Sequence, residues 1–178
     1  MSELINRIAL VTGASRGIGK AIALALANAG AGVAVNYHEH AEEAASVVDA
    51  IHRAGGRAVA IGADVSIAAS VQSMISTVEE RLGPIDVLVN NAGIAPMRGL
   101  EDITEADFDR SIAVNLKSAP GLIDTEMGKP LIEAGVGARI PVGRVGTGDE
   151  IAQAVLLLVR DAFITGQMLA VNGGSLFS

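Results

Sequence analysis

Apolar and polar positions follow two rhythms along the chain. Short, uniformly apolar runs predict buried strands, and stretches with an apolar residue every three or four positions predict amphipathic helices. Residues 7–12, Arg-Ile-Ala-Leu-Val-Thr, form the first run; it breaks at Gly13, and an Ala-rich stretch follows from Gly17 to Asn28, ended by Gly30. That order reads as strand, tight turn and helix. The theme then repeats: Val33-Ala34-Val35 predicts a strand, Ala44, Val47, Val48 and Ile51 a helix before Gly55-Gly56, and residues 57–61 the next strand. Val71, Met74, Ile75, Val78 and Leu82 trace another helix face, with Ser66 as its expected N-cap and Gly83-Pro84 as its stop. Residues 85–89 predict a fourth strand, and Thr104-Glu105-Ala106-Asp107 has the form of a capping box for a helix continued by Phe108, Ile112 and Leu116.

Uniformly apolar strands separated by helices predict a parallel sheet covered on both faces, because parallel neighbours need crossover connections and the helices are those crossovers. The class is α/β, doubly wound, and no linker or low-complexity tract divides residues 1–178 into more than a single domain. After Ser118 the rhythm fails. The chain enters Ala119-Pro120-Gly121 and a Gly-rich region. It then reaches a helix begun by Thr147-Gly148-Asp149-Glu150, with Ile151, Ala154, Val155 and Leu158 as its expected apolar face, and a last strand near Met168 to Val171.

Composition narrows the function classes. With 13 Lys and Arg against 20 Asp and Glu, the net charge of −7 offers no basic footprint for nucleic acid or an anionic membrane. No apolar run approaches a membrane span, and the first residues carry no secretory or transit pattern. The absence of Cys removes disulfides, thiolate catalysis and cysteine metal sites, and fits a reducing, cytoplasmic setting. His38 and His40 lack a third ligand and read as solvated surface rather than a metal pair.

The segment Thr12-Gly13-Ala14-Ser15-Arg16-Gly17-Ile18-Gly19 joins the first strand to the first helix. Glycines there permit a tight turn and close backbone approach to a pyrophosphate, and the helix N-terminus offers N–H groups to the phosphates. The Gly-x3-Gly-x-Gly spacing alone is weak in a chain with 21 glycines; its place between strand and helix makes it informative. Four further motifs accompany it: Asn90-Asn91-Ala92-Gly93 after the fourth strand, Asn115 in the next helix, residues 120–125 (Pro-Gly-Leu-Ile-Asp-Thr), and Ile164-Thr165-Gly166-Gln167 with Val171-Asn172-Gly173-Gly174. Together they resemble the short-chain dehydrogenase/reductase family, and within it the 3-oxoacyl-acyl-carrier-protein reductase type.

The resemblance implies a Rossmann-type fold and a role for each matching position. Gly13, Ser15, Arg16, Gly17, Ile18 and Gly19 would line the adenosine phosphates. Asp64 and Val65 would meet the adenine, the carboxylate accepting from its exocyclic amine. Asn91, Ala92 and Gly93 would pass behind the adenosine ribose, while Pro120, Gly121, Ile123 and Thr125 would hold the nicotinamide end. An acid that reads a ribose 2′-OH is expected about 20 residues beyond the loop, at the end of the second strand. The run here is Asn36-Tyr37-His38-Glu39, with Asn36 at the acid's position. Without a carboxylate at that position, and with Arg16 able to pair with a phosphate, NADP is favoured; Glu39 keeps NAD open.

Hydride transfer to a carbonyl needs a proton donor, which the family supplies with a Ser, a Tyr and a Lys four residues after the Tyr, assisted by an Asn. Asn115 matches that Asn as the one catalytic position present. Tyr37 is the only tyrosine, and Ala41 stands four residues after it. The gap falls where the rhythm breaks. The family's fifth and sixth strands and their helices, two βα units of ~30 residues each, are lacking between Ala119 and Pro120 or one residue earlier. The fourth strand would then be an exposed apolar edge. Three readings stay open: an NADP-dependent ketone or secondary-alcohol reductase whose central segment is missing from this sequence, a truncated dinucleotide-binding module without turnover, or a purely structural fold that serves as an oligomer scaffold. The substrate would be a small carbonyl or acyl compound, residues 126–145 with Met127, Leu131 and Ile132 would form a lid or ordinary packing, and the family implies dimers or tetramers.

Overall fold

Uniform apolarity puts the first two strands at the centre of a sheet. The computed structural model describes residues 4–94, 100–115, 133, 140–160 and 171. Within them, β1 (Ile8–Val11), β2 (Gly32–Tyr37), β3 (Arg57–Gly62) and β4 (Val87–Val89) form one four-stranded sheet in the order β3-β2-β1-β4. All its pairings are parallel. The helices are α1 (Gly17–Asn28), α2 (Ala41–Arg53), α3 (Ala68–Arg81), α4 (Glu105–Asn115) and α5 (Gly148–Arg160), with a short 3-10 turn at Leu100–Asp102. The doubly wound α/β architecture expected from the sequence is the one observed.

Alternation along each strand sorts the core into two layers. Ala9, Val11, Val33, Val35 and Ala58 face Ile22 and Leu26 of α1, Val47 and Ile51 of α2, and Ile151 and Leu156 of α5. Ile8, Leu10, Ala34 and Ile61 face Met74 and Val78 of α3 on the opposite side. Gly148 brings the start of α5 against α1, where an added Cβ would sit 3.2 Å from the Ala21 Cβ.

The expected capping box forms at the head of α4, and a second heads α5. The Thr104 hydroxyl accepts from the Asp107 N–H at 3.2 Å while the Asp107 carboxylate accepts from the Thr104 N–H at 3.1 Å. Thr147 and Glu150 exchange the same pair at the head of α5. The Arg144 guanidinium, 2.6 Å from Glu150, and the Thr147 N–H hold the Glu150 carboxyl down at about 2.

Several boundaries differ from expectation. Ser66 does not cap α3, because its hydroxyl donates to Asp64 instead and Ile67 takes the cap position. The buried face of α5 is Ile151, Ala152 and Leu156, flanked by Val155 and Val159; Ala154 and Leu158 are half-buried, so the helix is turned from the expected face. β2 extends through Asn36 and Tyr37, and β4 is shorter than residues 85–89. Asp86 lies before β4 and ties it to β1: its carboxylate accepts from the Ile8 N–H at 2.8 Å and from Arg7 at 2.6 Å. Among the described residues β4 is the sheet's edge, and Leu88 is 57% exposed whereas its in-register neighbour Leu10 is 1% exposed. The junction at Ala119 and Pro120, residues 116–132, and the last strand up to Ala170 lie outside the described residues.

Leu26 is fully buried between α1 and the sheet. Leu26→Ala should cost about 2–5 kcal/mol of stability. Urea unfolding should show the loss as a lower midpoint with the slope unchanged.

Candidate functional site

The C-terminal ends of the four parallel strands meet the loop from β1 to α1, and a web of buried polar groups fixes that loop. Thr12, at the end of β1, is 5% exposed. Its hydroxyl donates to the Val89 carbonyl at 3.3 Å and accepts from the N–H groups of Asn91 and Ala92 at 2.9 and 3.0 Å. The Asn91 amide donates in turn to the carbonyls of Thr12 and Gly13 at 2.9 and 3.0 Å. From the other side, the Asn36 side-chain oxygen accepts from the Gly13 N–H at 3.2 Å, and its main-chain carbonyl accepts from Ala14 at 2.8 Å.

This packing dictates where the loop can carry a side chain. Gly13 has φ +61°, and a Cβ there would lie 2.8 Å from the Ala92 Cα. A Cβ on Gly19 would run into the Asn91 amide and the Gly13 carbonyl. Ser15 is buried, Arg16 and Gly17 are exposed, and Ile18 is half-buried. The N-cap residue Arg16 makes no side-chain capping bond to α1, and no acidic residue occupies the helix's first turn. A helix start of that kind favours an anion.

Tyr37, His38, Asp64 and Val65 gather at the ends of β2 and β3. The Tyr37 ring lies across Gly62, where an added Cβ would meet it at 3.2 Å. Exposed His38 stands with Nε2 3.6 Å from Asp64 and Nδ1 3.6 Å from Glu39. Asp64 Oδ1 accepts from the hydroxyl and N–H of Ser66 at 2.6 and 2.9 Å. Those two bonds hold the Asp64 carboxyl below the usual carboxylate range, with the charges of His38 and Arg110 adding to them against desolvation. His40 faces Glu43 at 3.4 Å.

The structure therefore brings Gly13, Ser15, Arg16, Gly17, Ile18, Gly19, Asn36, Tyr37, His38, Asp64, Val65, Asn91, Ala92 and Gly93 to one edge of the sheet. Asn115 is the last residue of α4. Pro120, Gly121, Ile123 and Thr125 lie outside the described residues. Sequence reasoning passed over the hydroxyl of Thr12 as an anchor; its signal was a polar residue closing an apolar strand just before a glycine. It also passed over Ser70, whose hydroxyl accepts from the Asp64 N–H at 3.0 Å.

Comparison with known proteins adds independent findings. A family model described as short chain dehydrogenase matches residues 7–127, and one described as Enoyl-(Acyl carrier protein) reductase matches residues 119–175. An uncharacterized oxidoreductase of Methylorubrum extorquens is 30% identical over 246 positions, spanning 98% of this chain and 99% of its own. That alignment is 68 positions longer than the 178 residues of this chain and includes nearly all of both, so at least 68 positions of it face an internal gap here. A short-chain dehydrogenase/reductase of Armillaria gallica is 46% identical over 144 residues, 80% of this chain but only 54% of that protein. Thus the chain spans about half the length of that relative. The solved structure of a short-chain dehydrogenase from Burkholderia cenocepacia in complex with NADP is 29% identical, with a TM-score of 0.88, covering 97% of this chain and 98% of that one.

The hydroxyl web gives a direct test. Thr12→Val keeps the shape and leaves the N–H groups of Asn91 and Ala92 without their acceptor, which should lower stability by about 1–3 kcal/mol, whereas Thr12→Ser should retain most of it. Denaturant titration of both variants distinguishes them. Because the folded-state pKa of Asp64 is depressed, its contribution to stability is present above the unfolded pKa and is lost as pH falls through the folded one. Ser66→Ala should raise the Asp64 pKa toward its ordinary value and reduce that acid-side loss, as read by carboxyl NMR titration.

Proposed function

Because the chain belongs to the short-chain dehydrogenase family, we propose that its glycine loop and strand ends bind NADP(H) for hydride exchange with a ketone or secondary alcohol. The observation that carries this reading is the loop itself, held by Asn36 and Asn91 with no room for a Cβ at Gly13 or Gly19. The packing that demands glycine at these positions keeps the turn tight, and the start of α1 offers a phosphate its N–H groups and favourable dipole end. Ser15, Arg16, Gly17 and Ile18 would line the phosphates, Asp64 and Val65 the adenine, and Asn91, Ala92 and Gly93 the ribose. Pro120, Gly121, Ile123 and Thr125 would take the nicotinamide end. Arg16 and the absence of a carboxylate at Asn36 favour the 2′-phosphate of NADP, as does the NADP in the Burkholderia cenocepacia relative. The cofactor, when bound, supplies the hydride; the chain's part is to bind and orient it.

Turnover needs groups this chain does not contain. Asn115 is the one catalytic position retained, and the only tyrosine, Tyr37, is stacked over Gly62 at the adenosine side. The at least 68 unmatched positions of the Methylorubrum extorquens alignment are the size of the two βα units that would carry the Ser, Tyr and Lys. Reduction of a ketone, with a 3-oxoacyl group as the narrower substrate, therefore belongs to a chain that includes that segment. The 178-residue chain by itself is a dinucleotide-binding module, a second reading that the position of Tyr37 favours. A cytoplasmic setting and assembly into dimers or tetramers go with the family reading.

The chain of 18.1 kDa, its mass verified on the purified protein, should enhance NADPH fluorescence on binding and consume no NADPH over a panel of ketones. Arg16→Ala should weaken NADPH by about tenfold more than NADH. Failure to bind either dinucleotide removes the cofactor reading, and ketone-dependent oxidation by the 18.1 kDa chain removes the claim that the donor is missing.

A further inference from the structure

We propose that Asn36 is a positioning residue, one that sets the glycine loop from beneath and does not itself read the ribose; the inference rests on the dinucleotide reading above. Asn36 is 2% exposed, and every polar atom of its side chain is engaged. Its amide oxygen accepts from the Gly13 N–H at 3.2 Å. The amide nitrogen lies within 3.2 Å of the carbonyls of Ile61 and Ala63 and 3.3 Å from that of Tyr37. One planar group therefore joins three pieces of chain: the end of β2, the end of β3 and the turn from β1 into α1.

The chemistry of that junction requires an acceptor on one side and donors on the other, which an amide supplies and a carboxylate cannot. A carboxylate at this position would point an acceptor at the Ile61 and Ala63 carbonyls and bury a charge with only the Gly13 N–H as partner. The acid that marks NAD preference at the end of a second strand is therefore barred here by the protein's own hydrogen bonds, whatever cofactor is bound. Because Asn36 also takes the Ala14 N–H through its main-chain carbonyl, both Gly13 and Ala14 direct their N–H groups into the protein. The N–H groups left for phosphate begin at Ser15, and discrimination of the 2′-phosphate falls to exposed side chains such as Arg16 rather than to Asn36.

Asn36→Asp and Asn36→Ala, with wild type, separate the two roles through NADPH and NADH titrations and residue-resolved amide exchange on the unliganded protein. Positioning predicts that the Asp variant weakens both dinucleotides by about tenfold with their ratio held within about twofold. It also predicts exchange at Gly13 and Ala14 faster by about tenfold while amides within β1 and β2 keep their protection. Tighter NADH binding by the Asp variant, or unchanged protection at Gly13 and Ala14, overturns it. If the Asp variant does not fold, the Ala variant, which buries no charge, carries the same exchange comparison. If wild type binds neither dinucleotide, the cofactor reading fails on its own, and the exchange rates still decide whether Asn36 holds the loop.

Discussion

The turn after β1 is gripped by two amide side chains, and the geometry of the whole binding edge depends on that grip. Asn36 reaches it from β2 and Asn91 from the segment after β4, so the loop is held by both strands that flank β1. A net hydrogen bond is worth only about 0.5–1.5 kcal/mol, but an unmet partner in a buried place costs about 1–3 kcal/mol. Each member of the web is therefore kept in place by the cost of abandoning the others. The glycines are a consequence of this arrangement. Ala92 and Asn91 lie where side chains at positions 13 and 19 would have to be, so the packing that fixes the turn demands glycine there.

Much of the fold was legible because β1 and β2 are apolar on both faces and α1 and α2 repeat at helical spacing. Such patterns report local structure and burial together. The ends of elements were less legible. Ser66 has the composition of a cap, yet the carboxylate two residues before it offered its hydroxyl a better acceptor. The apolar face of α5 was misread because Leu156, Leu157 and Leu158 are consecutive, and only the contact with α1 selects Leu156 for the interior. At the site, glycine spacing revealed the loop but not what holds it. The bonds that do so join residues 23 positions apart, for Gly13 and Asn36, and 79 apart, for Thr12 and Asn91. No periodicity along the chain records such pairings. A polar residue ending an apolar run is their one local sign.

Among the described residues, the sheet is well covered on one side of β1 and poorly on the other. β2 is buried up to Asn36, whereas β4 is three residues long and half-buried, with Leu88 largely exposed. Leucine and valine on an edge strand are the composition of an interior strand placed at a border. On the proposed reading the same edge bears on the chemistry, since the strands that would pair beyond β4 belong to the units that carry the proton donor in the family. A single internal gap, as proposed, accounts both for the apolar edge and for the place of Tyr37, the only tyrosine, at the end of β2.

On the proposed reading, binding and turnover are separable in this molecule. The groups that hold the glycine loop, Thr12, Asn36, Asn91 and the carbonyls of Ile61 and Ala63, all lie within residues 12–92 and bond to one another. None of these bonds involves a residue beyond Ala92. The loop can therefore keep its proposed role without any strand beyond β4. A proton donor cannot, because it must be carried by a strand and a helix that themselves need a place in the sheet. The cofactor half is built from local closure at one strand edge, and the catalytic half from continuation of the sheet. An internal gap of the kind proposed would remove the second kind of structure while leaving the first intact.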